Sequence, residues 1–397
     1  MSLFGKHILI IVENLSVPFD RRVWQEATAL KDSGAVVSVI CPKMKGYSKR
    51  YEQIEGIEIY RHPKPPEGEG IWAYLIEYSA ALFWQMVYCW KIFFNKRFHV
   101  IQGCNPPDLV FLIAIPFKLF GVKYVFDHHD ISPELFMAKY FKKGFMYKIL
   151  ILAEKLTFMV ADYCIATNES YQNIAVTRGK MPPDKIQIVR NGPNLNIFKI
   201  SNGNIKYKKG RKYLVGYVGV IGKQEGLDLL LESVKYIVSI RQDVQFAIIG
   251  NGPELENIKV LARKVNVLEY IDFYGRTSDQ DLLDILNTAD VCVNPDRPTL
   301  MNDLSTMIKI MEYMSLMKPI VQYNLKEGKI SAMEASLYAE NTNPEDFAVK
   351  ILFLIDNPDI RSTMGTYGYN RIVNNLSWKI QSEKLISFYE SIFDKAQ

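Results

Sequence analysis

Paired sulfur and metal-donor clusters are scarce in this chain. Its five cysteines, Cys41, Cys89, Cys104, Cys164 and Cys292, are scattered, with no CxxC and no histidine at zinc spacing. That excludes a disulfide framework and a structural zinc, and reads as buried thiols in a reducing compartment. A basic run with interleaved aromatics, of the kind a nucleic-acid groove needs, is also missing. The formal net charge is only +5, which suits a phosphate-bearing substrate or an anionic membrane surface. The first apolar run, Ile8 to Val12, ends at Glu13 and is too short for a signal peptide. No GxGxxG fingerprint and no P-loop is complete in either half, which argues against an NAD-linked dehydrogenase.

What is present is a repeated alternation of strands and helices. At 397 residues the chain is too long for one ordinary core. Strand 7–12, helix 21–33 closed by Gly34, and strand 36–41 form an opening βαβ unit. Strands near 56–61, 100–103, 123–127, 163–167 and 186–189 continue it. Residues 195–211 are polar and basic and read as a linker. The pattern then restarts, with strands 214–218, 245–249, 271–274, 291–293 and 320–323. The expected fold is α/β: two Rossmann-like doubly wound domains, 1–195 and 212–376, facing across a cleft. A helix over about 377–397 is expected to pack back on the first domain. Ligands of such sheets lie at the carboxyl ends of the strands.

Two stretches suggest a surface partner. Residues 71–94 are the most apolar of the chain, with Glu77 and Lys91 as their only charges. The length would span a bilayer, but the polar interruptions favour a long helix with one face on the sheet. Loop 63–70 precedes it. Within 134–160, basic and aromatic positions alternate, including Phe136, Lys139, Tyr140, Phe141, Lys142, Lys143, Phe145 and Lys148. Such a patch can lie on anionic headgroups; a solvated face beside a core face is the alternative.

The segment Asp303 to Leu316 reads as one helix, apolar almost all round. Ser305, Lys309 and Glu312 fall at i, i+4 and i+7, and so share one stripe. Thr306 sits in the first turn, where free N–H groups favour an anion. The reading is a ligand pocket floor; the alternative is a core helix with an internal Lys309–Glu312 pair. Loops at Gly219 to Gly222 with Lys223, at Gly250-Asn251-Gly252, and at Gly275-Arg276 follow strands and offer backbone to phosphate or base; tight turns without a ligand are the alternative. In the first half, Asp127-His128-His129-Asp130 trailed by Glu134 suggests a metal, but adjacent side chains of a strand point apart. One histidine aimed at the cleft is the preferred reading. Asp20 is placed as an N-cap, with Arg21 or Arg22 as an anion contact.

Together these pieces resemble family 4 of the retaining glycosyltransferases, of the bacterial polysaccharide and O-antigen type, which have the GT-B fold. The carrying residues are Phe19 to Glu26, Asp127 to Asp130 with Glu134, Val189-Arg190-Asn191-Gly192-Pro193, Gly216 to Gly219, Gly250 to Pro253, and Lys309 to Glu312. The resemblance implies that Glu312 is the second Glu of the family's E-x7-E motif and binds the ribose. It implies that His129 lies near the transferred sugar and that loop 219–222 lies at the diphosphate. Arg190 joins the donor contacts on the same ground, and Asp20, Arg21, Arg22, Asp130 and Glu134 the acceptor side. The first Glu of the motif falls on Leu304, which leaves Asp303 beside it. The family's diphosphate Arg and Lys fall on Val220 and Glu225, so Lys223 and Lys309 are expected to supply the charge. His129, Lys309 and Asp303 are the catalytic candidates.

The implied activity is retaining hexosyl or N-acetylhexosaminyl transfer from a nucleotide diphosphate sugar, UDP favoured. The acceptor would be polyprenyl-diphosphate-linked or a glycan. No cofactor or metal is expected, and the enzyme would sit peripherally on the inner face of the cell membrane. A nucleotide-sugar epimerase of the same fold and a non-catalytic donor-binding subunit are the competing readings.

Overall fold

A computed structural model describes residues 3–64, 71–140, 144–340 and 342–394. Loop residues 65–70 and the patch members Phe141, Lys142 and Lys143 lie outside it, as do the side chains of Lys139 and Tyr140. The chain divides into two units, residues 1–190 with 381–397, and residues 191–380.

In the first unit the order is β1 (His7–Ile11), α1 (Arg21–Asp32), β2 (Val36–Pro42), β3 (Tyr51–Ile54), β4 (Ile57–His62), α2 (Ile71–Asn95), β5 (Val100–Cys104) and α3 (Phe111–Lys118). It continues with β6 (Lys123–His128), α4 (Ser132–Tyr140), α5 (Phe145–Val160), β7 (Tyr163–Ala166), α6 (Glu169–Thr177) and β8 (Ile186–Ile188). The 8-stranded sheet runs β3-β4-β2-β1-β5-β6-β7-β8. Every pairing is parallel except that of β3 with β4. Strands β1, β5 and β6 are buried along almost their whole length, as a sheet covered on both faces requires. The sequence reverses direction between β1 and β5, which puts the loops after β1, β5 and β6 at a switch point.

The second unit contains β9 (Tyr213–Val218), α7 (Leu227–Ile240), β10 (Val244–Ile249), α8 (Leu255–Lys264), β11 (Ile271–Gly275), α9 (Asp279–Thr288), β12 (Val291–Asn294), α10 (Leu300–Leu304) and α11 (Ile308–Ser315). Then come β13 (Ile320–Tyr323), α12 (Lys326–Ala332), β14 (Ser336–Ala339), α13 (Pro344–Asp356) and α14 (Pro358–Arg371), and the chain ends in α15 (Trp378–Asp394). Its parallel sheet, β11-β10-β9-β12-β13-β14, is again doubly wound, with the switch between β9 and β12. Helix α15 runs from this unit into the first. There Phe388 packs edge-on to Tyr163, and Lys6 sits over Phe393.

Two expectations need correction. Residues 195–211 are not a free linker. Phe198 and Tyr207 are buried in the core of the second unit, and the backbone N–H groups of Ser201 and Asn204 bond Asn287 and Thr288. The polar residues between these two anchors face outward and hid them. The division therefore falls at 190/191, not at 195 and 212. Likewise, 303–316 is not one helix. Helix α10 ends at Leu304, Ser305 and Met307 are extended, and α11 starts at Ile308. Ser305 is thus off the stripe that carries Lys309 and Glu312.

Candidate functional site

The second unit concentrates its chemistry at the carboxyl ends of β9, β10 and β12. The turns after β9 and β10 touch: a Cβ on Gly250 would stand 1.8 Å from the Gly219 carbonyl oxygen. Only glycine fits there, with φ 141°. A Cβ on Gly219 would meet the Tyr217 hydroxyl at 2.8 Å and Lys309 Cε at 3.4 Å. Lys309, in the first turn of α11, therefore lies against the glycine loop, as the sequence suggests. Its partner is not Glu312. Lys309 Nζ bonds Asp296 Oδ1 at 2.8 Å, with 11% and 2% of the two side chains exposed, and sits 4.9 Å from the Tyr217 ring centroid. Burial would lower the ammonium, but Asp296 and the Tyr217 oxygen outweigh it and hold Lys309 above the usual lysine range. Burial pushes the Asp296 carboxyl up against the pull of Lys309. Glu225 follows the same pattern, raised by burial and by Asp296.

Sequence reasoning missed Asp296 and Tyr313. Tyr313 is fully buried; its hydroxyl accepts from Val218 N at 2.9 Å and donates to Val293 O at 3.3 Å, so α11 pins the ends of β9 and β12 together. A lone acid in the loop Pro295-Asp296-Arg297-Pro298 gives no signal in the sequence. Tyr313, inside an apolar helix, reads only as core.

Gly222 stands beside the Glu225 carboxylate. The Lys223 side chain is exposed, while its carbonyl accepts from Arg297. Asn251 bonds the Gly252 N–H at 2.8 Å, and its carbonyl accepts from Ile221 N. Arg276 is exposed, and Ser305, Thr306 and Glu312 are half-buried. Asp303 does not join Lys309. Its carboxylate accepts the Lys326 N–H at the start of α12, an N-cap role that explains an acid at this position. Arg190 lies in the first unit, paired with Glu169.

In the first unit a buried network forms where β1, β5 and β6 end. Asp20 caps α1 through Val23 N. Arg22 points inward, to carboxyl groups of the protein itself: it reaches Asp127 at 3.0 Å, Glu26 at 2.9 Å and the Val189 carbonyl at 3.1 Å. Arg21 is exposed. His129 Nε2 lies 2.7 Å from Asp127 Oδ2 and 2.9 Å from Arg22 Nε. The His129 and Asp130 N–H groups both bond the Asn105 side chain. Burial alone would raise Asp127, yet His129 and the Arg22 guanidinium beside it hold it well below the carboxylate range. Glu26 goes the other way: burial and the neighbouring Asp127 charge outweigh Arg22 and keep its proton on. His128 is packed among Phe126, Phe158 and Tyr171 and stays neutral, lowered by burial to about 3. Glu134 is buried and bonded to Arg178 at 2.6 Å, which also bonds Glu154. Cys104, Asp127 and His129 offer ligand atoms within 4.8 Å of one another. The Arg22 guanidinium contacts two of the three, and a fixed cation there repels another.

Two doubly wound sheets of this order place the chain in a known class, the GT-B glycosyltransferases. It belongs to the glycosyltransferase family described as Glycosyl transferases group 1, matched over residues 201–371, with a Glycosyl transferase 4-like domain over residues 20–192. It is similar to the capsular polysaccharide biosynthesis glycosyltransferase CapM of Staphylococcus aureus, 28% identical over 64% of this chain and 68% of that protein. Among solved structures, sucrose-phosphate synthase of Thermosynechococcus elongatus shares the fold with a TM-score of 0.82 at 16% identity, over 98% of this chain and 100% of that one. Anabaena HepE in complex with UDP-glucose does so at 0.74 and 13%, over 97% and 99%.

Proposed function

We propose that this glycosyltransferase moves a sugar, with retention, from a nucleotide diphosphate sugar, UDP-linked, to a lipid-linked or polysaccharide acceptor of a cell-surface glycan. The observation that carries the reading is Lys309, a buried ammonium set against Gly219 at the switch point of the second sheet. A diphosphate leaving from that loop gains negative charge as the glycosidic bond breaks. A pre-placed ammonium in a water-poor site stabilises that charge more than it stabilises the bound donor. Asp296 holds the ammonium in place until then. Glu312, one turn on, takes the ribose hydroxyls, and His129 takes the sugar-side contact that the family resemblance implies. No metal is needed, because the lysine supplies the countercharge. The capsular assignment of CapM and the UDP-glucose bound by HepE support the donor and acceptor classes.

The outer face of α5 supports a lipid-borne acceptor. Phe145, Ile149, Leu152 and Met159 form one exposed stripe, at 77%, 39%, 55% and 72%, with Lys148 and Lys155 exposed on it. The same helix buries Glu154 and Thr157 on its inner side. An apolar stripe with lysines turned to the outside is the pattern of a helix lying on anionic headgroups. A groove of about 550 Å³ beside it is lined by Leu152, Lys155, Met159, Lys180 and Lys185. Among the described residues, no helix is long and apolar enough to cross a membrane.

The test is a thermal-shift panel of nucleotide diphosphates, followed by NMR of the anomeric product formed from the selected sugar with polyprenyl-diphosphate acceptors. Stabilisation by uridine nucleotides and an axial-to-axial outcome are expected. Free sugar isomerised without transfer would overturn the reading. Glu312→Ala should weaken UDP binding by about tenfold or more, the size of one lost charge-assisted hydrogen bond; unchanged calorimetric affinity would remove it from the pocket.

A further inference from the structure

The network under His129 extends to the C-terminal helix. Gln102, on β5, directs its amide nitrogen at both buried carboxyl groups, 2.6 Å from Glu26 Oε2 and 2.7 Å from Asp127 Oδ2. With an acceptor on each of these contacts, the amide must present N–H there, and its oxygen must face the other way. That oxygen accepts the Tyr389 hydroxyl of α15 at 2.7 Å. Tyr389 is fully buried, and burial among acidic neighbours keeps its proton on. A chain of fixed polarity thus runs Tyr389, Gln102, Asp127, His129.

Its end point is a single nitrogen with two claimants. Asp127 Oδ2, at 2.7 Å, asks for a proton on His129 Nε2; Arg22 Nε, at 2.9 Å, asks for a lone pair there. Gln102 donates to the same Oδ2 and holds it in line with the ring, which favours the claim of Asp127. With the proton on Nε2, the lone pair falls on Nδ1, for which no partner is seen among the described residues. Released from Gln102, Asp127 turns away, Nε2 accepts from Arg22, and the proton moves to Nδ1. His129 then presents a donor where it presented an acceptor.

We propose that Gln102 and Tyr389 are positioning residues that fix the tautomer of His129 through Asp127, so that α15 helps to set the reacting group. For its consequence in turnover, this rests on the sugar-side role given to His129 above; for the tautomer it does not. The experiment is long-range ¹H–¹⁵N correlation of histidine rings in the full chain, with no substrate added. The His129 resonance is assigned by its loss in His129→Gln. The wild type should be Nε2–H, and Tyr389→Phe should move it toward Nδ1–H. Ser391→Ala, on the same helix but outside the network, should leave it in place. With the donor chosen by thermal shift, Tyr389→Phe should lower kcat about tenfold at constant donor KM, the size of one misdirected hydrogen bond to the reacting sugar.

An unchanged His129 tautomer in a folded Tyr389→Phe protein would overturn the proposal, as would a wild-type ring that is already Nδ1–H. If that variant does not fold, Gln102→Met carries the same comparison. A tautomer shift in a protein that transfers no sugar would leave the relay standing and sink the functional reading instead.

Discussion

Lys309 and Asp296 show how much one pair decides. An ion pair this buried gains little over an apolar pair, but removing one partner strands the other charge. Lys309→Met should therefore cost both stability and turnover. The double variant Lys309→Met with Asp296→Asn should recover most of the thermal midpoint and none of the turnover. Recovery of both in a transfer assay would mean that the lysine is structural. A second buried cluster gives a pH dependence. Arg178 serves both Glu134 and Glu154, one cation between two carboxyl groups. Burial pushes Glu154 up to about 7 from 4.5, against the pull of Arg178. A folded pKa above the unfolded one stabilises the protein at acid pH, and that contribution fades as pH rises through about 7. Glu154→Gln should accordingly gain thermal midpoint over the wild type from about pH 5 to about pH 8. A pH-independent difference in melting scans would contradict this.

At the level of elements, the break at Ser305 to Met307 separates what the sequence joins. Leu304, Met307, Ile308 and Met311 keep a helical period straight through it, so periodicity is blind to the turn. The gain is position: α11 begins afresh at Ile308, and Lys309 lies in its first turn, not one turn in. The contact of the β9 and β10 turns is just as local. Gly250→Ala puts a methyl into the Gly219 carbonyl and should lower stability by about 1–3 kcal/mol, as overpacking does. Nucleotide-induced stabilisation should be lost with it; a variant with a wild-type melting curve would show that the turns can part. For α5, Phe145→Ser with Leu152→Glu changes only exposed positions. Co-sedimentation with phosphatidylglycerol vesicles should fall about tenfold, with melting unchanged. Equal binding would contradict a membrane-facing α5.

Over the whole molecule, the two doubly wound sheets were legible because buried parallel strands write continuous apolar runs between amphipathic helices. The edge strand β3 was not, since Tyr51–Ile54 is half exposed and short. Direction within a pair was also hidden. Arg21 and Arg22 are equivalent in sequence, and only the i, i+4 spacing of Arg22 to Glu26 hinted which one turns in. The placement of Lys309 beside the glycine loop was readable because buried charge and close-approach glycine have few other uses; the choice of His129 came from the family resemblance. Asp296, Gln102 and Tyr389 were not, because they act through partners from 13 to 287 residues away in sequence, and one sequence carries no trace of such pairings. The boundary at 190/191 escaped for the reason given by Phe198 and Tyr207: two anchors are enough to sew a polar segment onto a core.

The most direct test of the account is the turnover of Lys309→Ala on the nucleotide sugar selected by thermal shift. If the ammonium meets the departing diphosphate, kcat should fall by about 100-fold or more while the dissociation constant of the donor changes by less than about tenfold. A variant that turns over at the wild-type rate, with only its Michaelis constant raised, would contradict the central claim.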